Sequence, residues 1–530
     1  MRPAPLASLA VAALAALPAM AARQRPAIAP PASQMCTEGA LGDQAPQPFA
    51  TLTPGEVSAI VGTALNALNV NTATVAVVDR AGHVLALVHE IAASPLNDDQ
   101  AVGVARTAAF FSHNMAPLSS RTVRFISGVH FPPGVVNAPN GALYGIENTN
   151  RGCDLGILFN SGKDVPPAKS PGGGRGPGIV TGKRQPDDGP YPQNPFDRGV
   201  NAGGIPLYRA GKLVGGIGVA GIAGDPQLAE FAAVSGAFGA PGIAPVPAYP
   251  LPEPGNVFID GIRLPFLGPD IKLRFDQSGA PVGVEQLEGT SPNALPAAAP
   301  PILAPSGCAP NEYMAGPRAG SALTQTQVDT VVQRAVAAAK RTRAAIRLPL
   351  NSYARMVIAV SDVNGDILAL YRMPDATVFS IDVSVAKARN VVHFSLAGLP
   401  GVPAGTAVTN RTIGFGAQPL YPPGIDGSKP GPFYSLFLDD LANPCQQGSG
   451  IVFFPGATPL YANGKLVGGL GVSGDGVEQD DYVTYLGAGE LLPDPKIWAD
   501  RLKVNGVRLP MFKFPRQPEG VTECGGGPCS

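Results

Sequence analysis

Residues Pro459–Gly474 read PLYANGKLVGGLGVSG, and residues Pro206–Gly221 read PLYRAGKLVGGIGVAG. In each stretch a short turn, with Asn463-Gly464 or Gly211 at its centre, separates two apolar runs. That pattern predicts a β-hairpin. Because two such similar stretches occur in one chain, the sequence contains an internal repeat.

Three further pairs of blocks recur in the same order. They are LTPGEV at Leu52–Val57 with LTQTQV at Leu323–Val328, VAVVDRAGHVLALVHE at Val75–Glu90 with IAVSDVNGDILALYRM at Ile358–Met373, and VFIDGIRLPF at Val257–Phe266 with LKVNGVRLPMF at Leu502–Phe512. We therefore predict two homologous domains. The predicted segments are a signal peptide 1–22, domain one 36–270 with a loop insertion 160–203, a Pro/Ala-rich linker 271–307, domain two 308–515 and a Gly/Cys tail 516–530.

The composition fits a globular chain rich in turns. Of 530 residues, 66 are Gly and 58 are Pro, while 15% are charged and 45% are hydrophobic. The hydrophobic content argues against disorder throughout, and the glycines lack the period of collagen. A net charge of −1 with no basic face argues against a nucleic-acid partner.

Each repeat is predicted to run helix, hairpin, helix, loop, hairpin and short strand. Thr53 with Glu56 and Thr324 with Gln327 have capping-box spacing. Second helices are predicted over about 100–115 and 381–396, and Asn364-Gly365 is a pair that type I′ turns favour. Consecutive hairpins predict an α+β fold, with helices packed on an antiparallel sheet and long Gly/Pro-rich loops between the elements.

The N-terminus has the features of a secretory signal. Arg2 precedes an apolar run from Leu6 to Leu17, and Ala19-Met20-Ala21 fits the cleavage rule. A membrane anchor is the competing interpretation, but the run is shorter than the 18 or so residues that a span needs. We therefore expect a periplasmic or extracellular protein without a membrane span.

Six cysteines suit an oxidising compartment. Their equivalent places in the two repeats predict disulfides Cys36–Cys153 and Cys308–Cys445, which leaves Cys524 with Cys529. Six cysteines allow 15 connectivities, so scrambled pairing is the alternative.

Both repeats contain a GxGxxG pattern in the second strand of the later hairpin. A dinucleotide fingerprint needs a strand-to-helix turn, so nucleotide binding is disfavoured. Gly218 and Gly471 instead allow close approach, either of another backbone or of a flat ligand.

Polar residues on the second helices and after them are candidates for ligand contact. Pairing Ala105-Arg106 with Ala386-Lys387 places Arg106 opposite Lys387, and places His113 and His393 one position out of register. Arg121 and Arg411 occupy matching positions. The cations could pair with a ligand carboxylate and either histidine could bind iron, although solvated charge and ordinary histidines are the simpler interpretation.

These blocks resemble the GlcG/HbpS family, which is related to the C-terminal domain of PduO. The resemblance rests on the capped first helix, the A-V-x-D-x-x-G hairpin, the A-[KR] helix and PLYxxGKLVGGxGVSG followed by Glu478-Gln479-Asp480-Asp481. Repeat one departs from the pattern at Gly221–Gln227, which reads GIAGDPQ. The resemblance implies a profilin-like α+β fold, symmetric oligomers and non-covalent binding of haem or, less favoured, a corrinoid. It identifies no axial iron ligand.

The leading hypothesis is a secreted haem-binding or tetrapyrrole-binding protein that forms homo-oligomers and is more readily a binder than an enzyme. One alternative is an enzyme acting on a small organic acid through Asp362 or the Glu478–Asp481 run. Another is an envelope module that only oligomerises.

Overall fold

The computed structural model of the chain describes residues 52–94, 97–151, 153, 155–156, 202–222, 226–247, 257–285, 312–443 and 449–521. We call residues 52–285 the N-terminal half and residues 312–521 the C-terminal half. The predicted signal peptide, most of the predicted loop insertion, and most of the linker and of the tail lie outside the described residues.

Both halves combine α-helices with antiparallel strands. The helices are α1 (Pro54–Asn66), α2 (Asn97–Phe111), α3 (Ser120–Phe125), α4 (Pro226–Ala237), α5 (Gln325–Ala339), α6 (Phe379–Ala397), α7 (Asn410–Gly416), α8 (Tyr434–Ala442) and α9 (Val477–Ala488). The strands are β1 (Thr74–Asp79), β2 (Val84–His89), β3 (Gly204–Arg209), β4 (Lys212–Ala220), β5 (Ile243–Ala244), β6 (Phe258–Ile259), β7 (Ile262–Arg263), β8 (Leu273–Phe275), β9 (Pro281–Val284), β10 (Glu312–Ala315), β11 (Val357–Asp362), β12 (Ile367–Arg372), β13 (Ala457–Ala462), β14 (Lys465–Ser473), β15 (Lys503–Val504) and β16 (Val507–Arg508).

Each half has one five-stranded sheet at its centre. The strand order is β2-β1-β4-β3-β5 in the N-terminal half and β10-β12-β11-β14-β13 in the C-terminal half. Both sheets place the later hairpin beside the earlier one through an antiparallel pair, β1 with β4 and β11 with β14. The α+β class is confirmed. Both capping boxes are also present, at Thr53 and Thr324.

The glycines of the later hairpins lie beneath the second helices. A Cβ at Gly218 would lie 2.0 Å from the carbonyl oxygen of Ala101 on α2, and one at Gly471 would lie 2.2 Å from that of Ser384 on α6. No side chain fits at those distances, so only glycine lets the helix rest on the sheet. Gly218 and Gly471 therefore allow another backbone to approach closely, as one of the two interpretations predicted. The backbone is that of the helix above each glycine.

The structure corrects the predicted register between the second helices. Arg106 donates through Nε to the carbonyl oxygen of Gly82, and Arg389 makes the same bond to Gly365, the equivalent hairpin glycine. Arg106 therefore corresponds to Arg389 and not to Lys387. The prediction failed because Ala-rich helices can be aligned in more than one register.

Two further predictions are corrected. A type I′ turn needs a positive φ at both central residues, and the φ of Asn364 is not positive. Gly365 has a φ of +85°, and its N–H donates to the carbonyl oxygen of Asp362. The I′ geometry occurs at Asn463-Gly464 (φ +51° and +73°). The second correction concerns residues 271–285 of the predicted linker, which contain the paired strands β8 and β9.

The predicted disulfide pairing lies almost wholly outside the described residues. Cys153 is disulfide-bonded. Its partner and the other four cysteines are not among the described residues, so the pairing stays a prediction.

The two halves share an extensive interface. Phe111 of α2 stacks on Phe379 of α6 with 4.0 Å between ring centroids, and Val378 N donates to Phe110 O. One continuous apolar cluster contains residues of both halves, including Phe111 and Phe379. The halves are therefore packed as one body around a common core.

Candidate functional site

A cleft of about 560 Å³ opens on the C-terminal half, a volume within the range of small-molecule sites. We call it the aromatic cleft. Its lining residues are Phe415, Tyr485, Trp498, Asp500, Arg508, Leu509, Pro510, Met511, Phe512 and Phe514.

Five aromatic side chains from three parts of the half form the walls of the cleft. Phe415 comes from α7 and Tyr485 from α9, whereas Trp498, Phe512 and Phe514 come from the segment after α9. The ring of Phe512 lies 5.6 Å from that of Trp498 and 5.5 Å from that of Tyr485, edge-on in both cases. These packed rings present flat apolar surfaces suited to stacking on a planar ligand.

An exposed guanidinium group is part of the cleft lining. Arg508 pairs with Asp500 at 2.9 Å, and its side chain is 67% exposed. An exposed pair of this kind contributes little to stability, so a ligand carboxylate can replace Asp500 at small cost. Arginine also matches carboxylates bidentately.

A buried carboxylate ties together the elements that carry the aromatic walls. Asp481 accepts bonds from Arg411 Nε, from Gly456 N at 3.0 Å and from Lys513 N at 3.1 Å. Burial raises the pKa of Asp481, and Arg411 opposes that rise. Asp481 is one turn before Tyr485, Arg411 is one turn before Phe415, and Lys513 lies between Phe512 and Phe514. The ion pair therefore positions the walls.

Two threonines hold the backbone of two lining residues, Pro510 and Met511. Thr409 caps α7 and donates to the carbonyl oxygen of Met511, and Thr412 donates to that of Pro510, both at 2.7 Å. These bonds fix the extended segment after β16 against α7.

The N-terminal half repeats this anchor with fewer aromatic side chains at the matching described positions. Arg121 Nε donates to Glu230 at 2.8 Å, and Gly268 N donates to the same carboxylate. Gly268 corresponds to Lys513, so Leu267 stands where the C-terminal half has Phe512, and Pro269 where it has Phe514. The described part of the N-terminal half therefore keeps the ion pair, and Phe125 at the position of Phe415, but has no aromatic side chain at the positions of Phe512 and Phe514.

A second buried ion pair of the C-terminal half is replaced by apolar residues at the equivalent described positions of the N-terminal half. Lys387 Nζ lies 2.9 Å from Asp480 Oδ2 and 2.7 Å from Val472 O. Burial raises the pKa of Asp480 to about 7, against the opposing effect of Lys387, and lowers the pKa of Lys387. In the N-terminal half, Val104 stands at the position of Lys387 and Ala229 at the position of Asp480.

Comparison with known proteins places the chain in a family. Residues 323–488 match the family described as "Haem degrading protein HbpS-like". The chain is 35% identical over 146 residues to an uncharacterised 15.0 kDa protein of Citrobacter freundii from the dhaT-dhaS intergenic region; the match covers 27% of this chain and 82% of that protein. The chain belongs to the HbpS-like family.

Solved structures similar to this HbpS-like chain include a PduOC–haem complex and Klebsiella pneumoniae ORFY. The PduOC–haem complex is 24% identical to this chain, and the TM-score is 0.23. The match covers 32% of this chain and 93% of the PduOC chain. ORFY is also 24% identical, with a TM-score of 0.21. The match covers 30% of this chain and 85% of the ORFY chain. These scores are too low to carry a functional argument.

His113 is fully engaged within the HbpS-like chain. Its Nδ1 accepts from the backbone N–H groups of Met115 and Ala116, so Nε2 carries the proton and donates to Ile346 O at 3.1 Å. Burial lowers the pKa of His113, which keeps the ring neutral. With both ring nitrogens bonded, His113 joins the two halves and has no lone pair for iron.

His393 lies on α6 with an exposed ring that contacts Phe394 edge-on at 4.9 Å. The corrected register places it opposite Phe110, so the two candidate histidines are not equivalent. It does not line the aromatic cleft. Ligand binding by His393 stays a prediction.

None of the eight predicted ligand residues lines the aromatic cleft. They are His113, His393, Arg106, Lys387, Arg121, Arg411, Gly218 and Gly471. Arg411 acts indirectly through Asp481, and Arg106 is buried against the hairpin. Four of the five aromatic lining residues could have been found from one signal, the concentration of aromatic residues between Tyr482 and Phe514, including the only Trp of the chain.

The carboxylates proposed for an enzyme of organic acids have structural partners. Asp362 accepts from the backbone N–H groups of Asn364 and Asp366, as a turn-forming aspartate does. Glu478 pairs with Lys513, and Asp480 and Asp481 pair with Lys387 and Arg411. This arrangement favours a structural role for them.

The described residues contain no group of three or more His, Cys, Asp and Glu side chains suited to a metal ion. Among the helices in the described ranges, none has both the length and the apolar character of a membrane span.

Proposed function

We propose that this chain binds haem non-covalently in the aromatic cleft of its C-terminal half. The cleft itself carries the proposal: five aromatic side chains and an exposed guanidinium line an open space of about 560 Å³. Membership of the HbpS-like family, whose description names haem, supports it. The aromatic lining and the guanidinium suit a flat macrocycle with acidic substituents. Among the described lining residues, Tyr485 and Met511 have side chains that can bind iron, and none is a histidine.

A haemin titration tests the proposal with a built-in reporter. Trp498 is the only Trp of the chain and lines the cleft. We expect haemin to quench its fluorescence and to give a shifted Soret band, both saturating at one haem per chain. If neither signal changes at stoichiometric haemin, the proposal is overturned.

A matched pair of variants locates the site. Phe512→Ala removes a wall of the cleft, and Leu267→Ala is its counterpart in the N-terminal half. We expect Phe512→Ala to weaken haemin binding about tenfold, which corresponds to the loss of one or two aromatic contacts, and Leu267→Ala to have no effect. Equal effects of the two variants would exclude this cleft.

The family description also names haem degradation. Turnover is tested on the same complex by adding a reductant and oxygen and following the Soret band with time. Loss of the band with release of iron would add degradation to binding.

We further propose that the chain is secreted, oligomeric and built from two tandem HbpS-like copies. Corresponding strand orders and the paired anchors Arg121–Glu230 and Arg411–Asp481 support the tandem copies. Mass spectrometry of the mature N-terminus tests secretion, light scattering tests assembly, and non-reducing peptide mapping tests the disulfide pairing.

A further inference from the structure

We propose that the aromatic cleft recognises the porphyrin ring and a carboxylate on it, and does not depend on the metal. This inference rests on the proposed function and specifies its ligand class as planar aromatic carboxylic acids of porphyrin size, whether or not they contain iron.

The positions of the histidines support recognition of the ring. All five histidines are described, and none lines the cleft: His83 contacts Asp79, His89 lies near Asp98, His130 contacts Asp426, His113 bonds Ile346, and His393 is on α6. The imidazole that most often holds haem iron in a buried site is therefore missing from this one. Affinity must come mainly from stacking and charge.

The remaining iron donors are poorly placed to dominate binding. Met511 is 3% exposed, so its thioether is packed in the protein interior. Tyr485 contacts Phe512 and Phe514 through its ring, at 5.5 and 5.2 Å. Its ring therefore belongs to the stacking wall, and its hydroxyl can be tested separately.

The polar part of the ligand is assigned to Arg508. Its guanidinium is held by Asp500, to which it donates at both the carboxylate and the backbone carbonyl. A ligand carboxylate would take the place of the Asp500 carboxylate, while the bond from Arg508 Nε to Asp500 O at 2.7 Å keeps the guanidinium in position. Acidic porphyrins should therefore bind better than their esters.

The N-terminal half provides a matched control for this arginine. Arg263 follows the same Asn/Asp-Gly turn as Arg508 and is likewise exposed, but Leu267 and Pro269 stand at the positions of Phe512 and Phe514. Arg263→Gln thus removes an equivalent charge at a place where these two aromatic side chains are missing.

The experiment compares haemin with metal-free protoporphyrin IX on the full chain, reading Trp498 fluorescence. We expect the two dissociation constants to agree within about threefold. We also expect Arg508→Gln to weaken both ligands about fivefold, Arg263→Gln to weaken neither, and the dimethyl ester of protoporphyrin to be insensitive to Arg508→Gln.

The outcomes separate the inference from the function on which it rests. Failure of haemin to bind overturns both. Tight haemin binding with protoporphyrin weakened more than thirtyfold overturns only the inference, and Tyr485→Phe then tests whether the phenol binds iron. Equal effects of Arg508→Gln and Arg263→Gln overturn the carboxylate assignment.

Discussion

At the scale of single residues, Lys387 and Asp480 form a buried ion pair that is absent from the equivalent described positions of the N-terminal half. Val104 and Ala229 fill the same space there, beside Gly203, which corresponds to Gly456. A buried pair often stabilises a protein no better than apolar side chains of suitable volume, but loss of one partner leaves a buried charge without compensation.

We predict that Lys387→Val alone lowers the free energy of unfolding by about 3 kcal/mol, because Asp480 loses its partner. The double variant with Asp480→Ala should recover most of that loss, since it recreates the Val104–Ala229 arrangement. Urea unfolding of both single variants and the double variant measures the coupling. Additive losses would contradict the prediction.

The carboxyl group of Asp440 gives a second prediction at this scale. It is buried beside Asn148 and accepts from Ile451 N, and burial raises its pKa to about 6. The folded state therefore holds this proton more tightly than the unfolded chain, whose aspartates titrate near about 4. The contribution of this group to the free energy of unfolding should fall as pH rises from about 4 to about 6.

Asp440→Asn should remove that fall, because an amide keeps an acceptor oxygen and does not titrate. Urea unfolding at pH 4.5, 6 and 7.5 measures the slope. The control is Asp439→Asn, since Asp439 is the exposed neighbour on α8. The same pH dependence in wild type and Asp440→Asn would show that other groups cause it.

At the scale of elements, α6 rests directly on β14 because Gly469 and Gly471 have no side chains. A methyl group at Gly471 would meet Ser384 O at 2.2 Å, and both the helix and the strand would have to shift. By contrast, a Cβ at Gly62 in α1 would have nothing within 4 Å.

We predict opposite signs for the same substitution at these two glycines. Gly471→Ala should lower the free energy of unfolding by about 3 kcal/mol through overpacking. Gly62→Ala should raise it by about 0.5–1 kcal/mol, because alanine favours the helix. Thermal and urea unfolding measure both, and a stable Gly471→Ala variant would contradict the proposed helix-on-strand contact.

The sequence correctly predicted those helices and strands whose patterns depend only on residues close together in the chain. Capping boxes, hairpin turns and alternating strands depend on neighbours within a few positions, so α1, α5 and the four long hairpin strands of each half followed from the pattern. The register of α2 against α6 did not, because small residues such as Ala105 and Ala386 look alike in sequence. The aromatic cleft was missed for another reason: Phe415, Tyr485 and Phe512 are far apart in the sequence and are brought together by tertiary contacts such as the Arg411–Asp481 anchor.

At the scale of the whole molecule, the shared core makes the halves unfold together. Phe111 and Phe379 stack at 4.0 Å inside one apolar cluster, and Asp375 of the C-terminal half pairs with Arg80 of the N-terminal half at 2.9 Å. Neither half can lose its structure without exposing apolar surface and leaving charges of the other unpaired.

We therefore predict a single unfolding transition for the described halves. Phe111→Ala should destabilise it by about 3 kcal/mol, as for other buried Phe→Ala changes, and shift the whole transition. Scanning calorimetry measures this. Two transitions, of which only one moves with Phe111→Ala, would show that the halves fold independently.

The joining of two similar sheets in one chain also changes how the protein can vary. In a homodimer every substitution occurs twice, so a change that suits one subunit is imposed on the other. Here Lys387 can differ from Val104, and Phe512 from Leu267, within a single molecule. One half is thereby free to acquire a specialised surface while the other keeps the packing that supports it.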